Sequence, residues 1–352
     1  MYEVDFLPIE KTGELGSKSG DAIGMRFTEQ LTGRSRVVVI DGGYSHTGEK
    51  MVEHVRKWYG TNHIDLMIST HPDQDHINGL ATVMDEMTVG ELLIHRPHDH
   101  VASVDEFSNI EVIDALIGLA DEKGVPVSEP FTGLSRFGRQ IIILGPTAEY
   151  YRQLVEEHLA QVRTGAAAAR MGSGGPSGIV TKAADLLERV IAMLPMESLS
   201  EDGETGPRNN SSVLTLLQVD GERMLFTGDA GIPALSAACD EYEILLGGFD
   251  SSPLDFFQAP HHGSKRNLSP SLLDRMLGTQ RLRYTQNATS FISSAKQDPK
   301  HPSPKVTNAL KRRGLDVYAT ESNIVVHKSS DVPMRPGYSA ATPVAVLAED
   351  DD

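Results

Sequence analysis

The chain has 352 residues, 39% hydrophobic and 23% charged, the balance of a globular protein that buries a sizeable core as one large domain or two small ones. Its formal net charge of −17 argues against nucleic-acid binding by bulk electrostatics, although divalent cations would offset the charges that matter locally. The one cysteine, Cys239, excludes an intrachain disulfide framework and a thiolate metal cluster; no run reaches the ~18–20 apolar residues of a membrane span, and the first residues lack a basic signal-peptide start. Cytoplasm, without membrane attachment, is the expected compartment.

In chain order, residues 2–9 and 23–27 read as short strands separated by a Gly/Ser/Lys turn region over 12–20. Residues 36–43 form a buried strand ending in Asp41-Gly42-Gly43. Residues 49–59 carry apolar groups at helical spacing, 64–70 is the next strand, and a helix is expected from Asn78 to Met87. A strand over 92–94, a helix over 110–120 and a strand over 140–144 follow. This alternation with short connections indicates a layered α/β domain. Residues 147–207 differ: helical over 147–162, rich in Ala, Gly and Ser over 165–178, helical again over 181–194, then polar and acidic. They read as an insertion between two core strands, either a packed helical pair or a cap over the site. Core patterning resumes with strands over 212–219 and 223–226, joined by the hairpin dipeptide Asp220-Gly221. A helix to Ala238, strands over 256–259, 289–293, 317–320 and 324–327, and helices over 270–277 and 303–313 complete the chain. Residues 1–330 are thus expected to form the folded domain, and 331–352 a flexible acidic tail.

The chemistry concentrates in His71-Pro-Asp73-Gln-Asp75-His76, where four metal-capable side chains fall within six positions directly after an apolar strand. Imidazole with carboxylate suits zinc, manganese or iron better than calcium or magnesium. Without a cation, such packing leaves carboxylates repelling one another. Further metal-capable groups recur just beyond apolar strands, where α/β sheets place their chemistry: Asp41, Asp229, the pair His261 and His262, and His301. Taken singly each has a plainer role, as a helix cap or a surface loop residue; their recurrence at strand ends favours a site.

The motifs Ile40-Asp41-Gly42-Gly43, His71-x-Asp73-x-Asp75-His76, Asn209-Asn210-Ser211-Ser212, Thr227-Gly228-Asp229, Pro260-His261-His262-Gly263-Ser264 and His301-Pro302 together resemble the metallo-β-lactamase superfamily. The pattern is most similar to the hydrolase domain of bacterial DNA-uptake competence proteins and to phosphorylcholine esterases. The resemblance implies a four-layer αββα sandwich and a dinuclear zinc or manganese site. It assigns His71, Asp73 and a histidine of the 261–262 pair, His262 for preference, to one metal. Asp75, His76 and His301 fall to the second, with Asp229 bridging. Two departures stand out: Asp73 replaces the usual second histidine of the loop, and Asn209 and Asn210 occupy the region where a histidine usually precedes Thr227-Gly228-Asp229. The implied reaction is phosphodiester cleavage by a metal-bridged hydroxide, with DNA the foremost substrate and a small phosphodiester, cyclic nucleotide or carboxylic or thio-ester the alternative; a non-enzymatic metal module is the third reading. Asp75 would orient the nucleophile, His261 would contact substrate or leaving group, and Asp41 would accept from a ligand imidazole. Asn210, Ser211, Ser264 and Lys265 are candidates to hold a phosphate, though Asn210 and Ser211 could equally cap the strand that follows. Oligomeric state is not legible.

Overall fold

Side-chain alternation along the buried strands decides what faces what. In the strand Ser35–Gly42, Val37 and Val39 join one apolar cluster while Val38 and Ile40 join another. The first cluster gathers helix residues such as Met51, Val52, Leu80, Val83 and Leu116. The second gathers strand residues from two different sheets, among them Phe6, Met25 and Phe27 on one side and Phe226, Phe256 and Phe291 on the other. The computed structural model, which describes residues 1–13, 16–171, 197–280 and 288–349, therefore stacks two sheets face to face and covers each with helices.

The first sheet runs in the order Val127–Ser128, Leu92–Leu93, Leu66–Ile68, Ser35–Gly42, Ala22–Thr28, Tyr2–Phe6, Val325–Lys328. The second runs Ser135–Arg136, Ile141–Gly145, Leu214–Val219, Glu222–Phe226, Phe256–Gln258, Ala288–Ile292, Leu315–Ala319. Helices Ser45–His54, Gln74–Glu86 and Ile110–Lys123 lie over the first sheet, and Ile232–Leu246, Pro270–Leu277 and Pro304–Arg312 over the second. This is the αββα layering the sequence implies. Among the described residues no helix is long and apolar enough to cross a membrane.

Parallel pairing matters most for the site. Ser35–Gly42 pairs in parallel with Leu66–Ile68, and Glu222–Phe226, Phe256–Gln258 and Ala288–Ile292 are parallel in turn. Their C-terminal ends put Asp41, His71, Asp229, His261 and His301 on one rim of the sandwich, the edge where open α/β sheets gather ligands. The helix Gln74–Glu86 is seated so closely on this rim that a Cβ on Gly79 would lie 1.9 Å from the Gly42 carbonyl oxygen; only glycine permits that approach.

Three expectations need adjustment. The helix after the strand Leu66–Ile68 begins at Gln74 rather than Asn78, so Asp75 and His76 occupy its first turn and Asp73 its N-cap position. The 147–207 region begins with a helix, Ala148–Met171, whose Tyr151, Val155 and Leu159 pack into the helical layer over the first sheet. The Ala/Gly/Ser stretch beyond 171 and the helix expected over 181–194 lie outside the described residues. The end of the chain is tied down where composition alone suggests a loose tail. Arg335 is buried against Glu3 at 2.6 Å and Asp5 at 2.5 Å, the Val344 amide donates to the Val317 carbonyl, and Glu349 accepts from Asn308 and Arg312. Buried carboxylates on the strand Tyr2–Phe6 require such a cation, a demand that local composition does not reveal.

Candidate metal centre

Each site residue is fixed by the end of a strand or the start of a helix, and the backbone is contorted around it. Asp41, His261 and His262 adopt left-handed φ values of 55°, 48° and 58°, conformations that cost non-glycine residues of order 1–3 kcal/mol and cluster at functional sites. Gly228, also left-handed, lets the turn before Asp229 press against Thr70, whose Cβ would be 3.1 Å from an added Cβ.

The side chains converge. His71 Nε2 lies 3.7 Å from Asp229 Oδ2, His76 Nε2 is 3.4 Å from Asp229 Oδ1, and His262 Nε2 is 3.6 Å from Asp75 Oδ2 and 3.9 Å from Asp229 Oδ1. Three sets have ligand atoms close enough to share a cation: His71, His76 and Asp229; Asp75, His76 and His262; Asp229, His261 and His262. Behind His76 a fourth set joins it to Asp21 and Asp41.

The outer nitrogens of the rings are held in place. Asp41 accepts from His76 Nδ1 at 2.8 Å, and also from the Thr70 amide and hydroxyl at 2.8 and 2.6 Å. His71 Nδ1 faces Thr70 Oγ1 at 3.0 Å and Ser212 Oγ at 3.3 Å. Such outer partners fix the tautomer and present Nε2 inward. Asp21, which sequence reading passed over, stands behind two rings at once, 3.8 Å from His76 Nδ1 and 4.0 Å from His262 Nδ1, and accepts from Gln258 Nε2 at 2.9 Å. The signal available for it was weak: an aspartate flanked by glycine and alanine just before an apolar strand.

By contrast, Nε2 of His71, His76 and His262 and Oδ1 of Asp229 are buried with no hydrogen-bond partner. Buried polar atoms without partners are rare and costly. Here they belong to one cluster, and imidazole nitrogen with carboxylate oxygen is a donor set that suits a divalent transition metal. The residues therefore fit a metal of that class. With protons as the only cations, burial works against charge on His76, yet Asp229 and Asp41 hold its pKa well above the ordinary range. Burial likewise opposes charge on His262, but Asp229 and Asp75 raise it to about 9. Burial and the neighbouring His76 push His71 down, and burial raises Asp21. Asp229 is held well below the carboxylate range because His261, His76 and His262 outweigh the cost of its burial.

Other expected site residues stand further out. Asp73 turns its Oδ1 to Arg208 at 3.1 Å, its Oδ2 remaining 3.9 Å from His71 Nε2. The His301 ring centre is 6.1 Å from that of His262 and 5.5 Å from that of His261, with Nδ1 at 3.3 Å from Asp298. The grouping thus differs from the one the resemblance implies: His262 stands with Asp75 and His76, and neither Asp73 nor His301 falls within a shared-cation set. Asn210 uses its Oδ1 on the Gly231 amide and the Thr205 hydroxyl, and its Nδ2 on the Thr205 carbonyl. Ser211 donates to the Arg208 carbonyl at 2.6 Å. These two therefore tie down the turn before the strand Leu214–Val219, while the neighbouring Asn209 reaches His261 Nδ1 at 3.3 Å. Ser264 Oγ accepts from the Arg266 amide. Ser264 and Lys265 line a cavity of about 660 Å³ that opens beside His261 and His301.

The sequence profile of the metallo-beta-lactamase superfamily matches residues 31–284. The chain belongs to that superfamily. No curated protein matches it. Among solved structures it is similar to a diphosphatase from the PhnP family, at 12% identity and a TM-score of 0.40, covering 93% of this chain and 98% of that one. It is similar also to a Thermotoga maritima structure assigned to the metallo-beta-lactamases, at 12% identity and a TM-score of 0.35 over 65% of this chain and 78% of the other. A third, a CmlA beta-hydroxylase variant, gives 12% identity and a TM-score of 0.37; the match takes in 90% of this chain but only 45% of the longer protein.

Proposed function

We propose that this superfamily hydrolase is a metal-dependent phosphodiesterase that acts on nucleic acid, DNA foremost, with two zinc or manganese ions. The observation that carries the reading is the setting of the cluster: buried histidine and aspartate atoms without partners, with His261 of the same cluster in the wall of a polar cavity that Lys265 and Ser264 also line. A polar, cation-lined recess suits an anionic phosphodiester better than an apolar ester or lactam. The likeness of the motifs to the hydrolase domain of competence proteins points the same way.

His71 with Asp229 on one flank, and Asp75 with His262 on the other, would hold the ions, with His76 between them. Bound there, divalent ions supply Lewis acidity toward a phosphoryl oxygen and lower the pKa of water. The chain's own residues do the rest. Asp41 and Asp21 hold the ring orientations from behind. Asp75, 28% exposed at its side chain, is the cluster carboxylate open enough to orient an attacking water. His261 has its Nδ1 engaged by Asp229 and lies in the cavity wall; as the imidazolium it would give the proton on its Nε2 to a departing oxygen. Lys265 and Ser264 would position the phosphate.

The test is a substrate panel of plasmid, single-stranded DNA, RNA and a chromogenic phosphodiester, each with Mn²⁺, Zn²⁺ or EDTA. Metal-dependent cleavage of a phosphodiester that Asp229→Ala abolishes is the expected result. Turnover of a thioester or lactam with every phosphodiester inert would replace the reading.

A further inference from the structure

Burial marks the open side of the cluster. The side chains of His71 and His76 are wholly buried, whereas Asp75 is 28% exposed, Asp73 22%, and Arg208, which stands beside Asp73, 29%. Arg208 Nη1 lies 3.1 Å from Asp73 Oδ1, and the other oxygen of that carboxylate is 3.9 Å from His71 Nε2. One carboxylate thus separates the guanidinium from a nitrogen of the cluster. The contact is one of charge and not a hydrogen bond, because Asp73 Oδ1 is buried with no hydrogen-bond partner. Among the described residues Asp73 is the one carboxylate paired with Arg208, and a guanidinium has five N–H donors to place. Its other neighbour is an imidazole: burial and then the Arg208 charge hold His158, on the helix Ala148–Met171, below its ordinary pKa. The turn that carries Arg208 is fastened by other groups, the Asn210 side chain on Gly231 and Thr205 and the Ser211 hydroxyl on the Arg208 carbonyl. A planar set of donors is therefore mounted on a fixed turn at the mouth of the cluster, on the His71 side, while Lys265 and Ser264 share a cavity wall with His261.

Resting on the phosphodiesterase reading, we propose that Arg208 selects for the charge of the substrate by binding a non-bridging oxygen of the scissile phosphate from the His71 side. The guanidinium plane matches the spacing of two phosphate oxygens, which an ammonium cannot do. A phosphate arriving there competes with a single unaligned contact to Asp73 and gains the charge-assisted hydrogen bonds that Asp73 does not make. Arg208 is thus a binding residue for an anionic diester, and it offers nothing comparable to a neutral ester of the same size.

The test compares a chromogenic phosphodiester, which carries one negative charge, with its methyl triester, which carries none. Arg208→Gln should lower kcat/KM on the diester about 10- to 150-fold, the worth of one charge-assisted hydrogen bond, with most of the loss in KM. The loss on the triester should be far smaller. Arg208→Lys, which keeps the charge and loses the planar fork, should fall between wild type and Arg208→Gln on the diester, and it carries the test if the glutamine variant does not fold. Metal affinity, read by competition with a chromophoric chelator, should not fall in either variant. Calorimetry of inorganic phosphate binding to the metal-loaded protein should show a similar 10- to 150-fold weakening in Arg208→Gln. Equal losses on diester and triester, or wild-type phosphate affinity in a folded Arg208→Gln protein, would overturn the proposal. If no diester is cleaved with any metal, the phosphodiesterase reading fails, and the calorimetry decides the role of Arg208 by itself: weaker phosphate binding in the variant supports it, and equal or absent binding overturns it.

Discussion

Asp41 accepts three hydrogen bonds in a fully buried setting: its Oδ1 takes the Thr70 amide, and its Oδ2 takes the Thr70 hydroxyl and His76 Nδ1. Asp41→Asn tests whether this carboxylate sets the metal-binding tautomer of His76. Asparagine tolerates the left-handed backbone at this position, φ 55°, where alanine would add strain. The Thr70 amide can only donate, so the asparagine oxygen must take the Oδ1 place, and its NH₂ then faces Thr70 Oγ1 and His76 Nδ1. The hydroxyl can rotate to accept. The imidazole can satisfy the NH₂ only by moving its proton from Nδ1 to Nε2, which blocks the atom now aimed at Asp229. Restoring the ligating tautomer costs one charge-assisted hydrogen bond, about 1.5–3 kcal/mol, or about 10- to 150-fold in metal affinity at 1.4 kcal/mol per factor of ten. The assay is competition with a chromophoric chelator, alongside circular dichroism of the metal-free proteins to show that the fold is unchanged. Excess metal should restore part of the activity. A folded Asp41→Asn protein with wild-type metal affinity would refute the argument.

Asp21→Asn should weaken metal binding by about tenfold, at the low end of outer-partner effects, because its oxygens stand at 3.8 and 4.0 Å from the rings instead of at hydrogen-bond distance; a loss as large as that of Asp41→Asn, in the same chelator assay, would show that the ranking is wrong. Arg335→Met should cost about 3 kcal/mol in urea unfolding, the low end for a broken buried pair, since it removes the cation that Glu3 and Asp5 share and leaves only Arg26 beside the first and His54 beside the second. Burial works to raise the Asp5 pKa, but His54 and Arg335 together lower it below its ordinary 3.8, so its contribution is present above about pH 4 and lost as pH falls through the folded value; the gap between variant and wild type should narrow on acidification, and a gap that widens would contradict the assignment. Removing metal with EDTA should lower the melting temperature by about 6–16 °C, given about 3–4 kcal/mol of linkage at 100–1,000 times Kd and about 2–4 °C per kcal/mol in large domains; an unchanged melting temperature after complete removal would place no ion in the cluster.

Much of the fold was legible because its signal is local. Four apolar, β-branched residues in a row ahead of Asp41, and the short run ahead of His71, read as buried strands, and Asp220-Gly221 adopts the two positive φ values, 54° and 88°, that its hairpin needs. What was not legible depends on contacts between distant segments. Arg335 carries no sign in its own neighbourhood that it will be drawn to Glu3 and Asp5, more than 300 positions away. Asp21 looks like an ordinary turn residue until the strand Ala22–Thr28 takes its place beside Ser35–Gly42 and brings it behind His76. The paired asparagines 209 and 210 show the same limit: adjacent and chemically identical, one reaches His261 and the other closes a turn on Gly231.

The two aspartates of the 71–76 segment show how a helix start separates metal-capable side chains that are neighbours in sequence. In a flexible loop, all four side chains could turn toward one point. Here the helix begins at Gln74, and Asp73 has extended backbone angles, φ −73° and ψ 141°, while Asp75 is already in the first turn. Residues two apart at a helix start do not face the same way. Asp75 is directed with His76 toward His262, whereas Asp73 is directed toward Arg208. The helix start therefore divides the carboxylates between two tasks: one completes the cluster, and the other fastens the turn 207–210 that carries Asn209 and Asn210. With the helix starting at Gln74 and not at Asn78, Asp75 shares a candidate cation set with His76 and His262, while Asp73 stands at the N-cap position outside it.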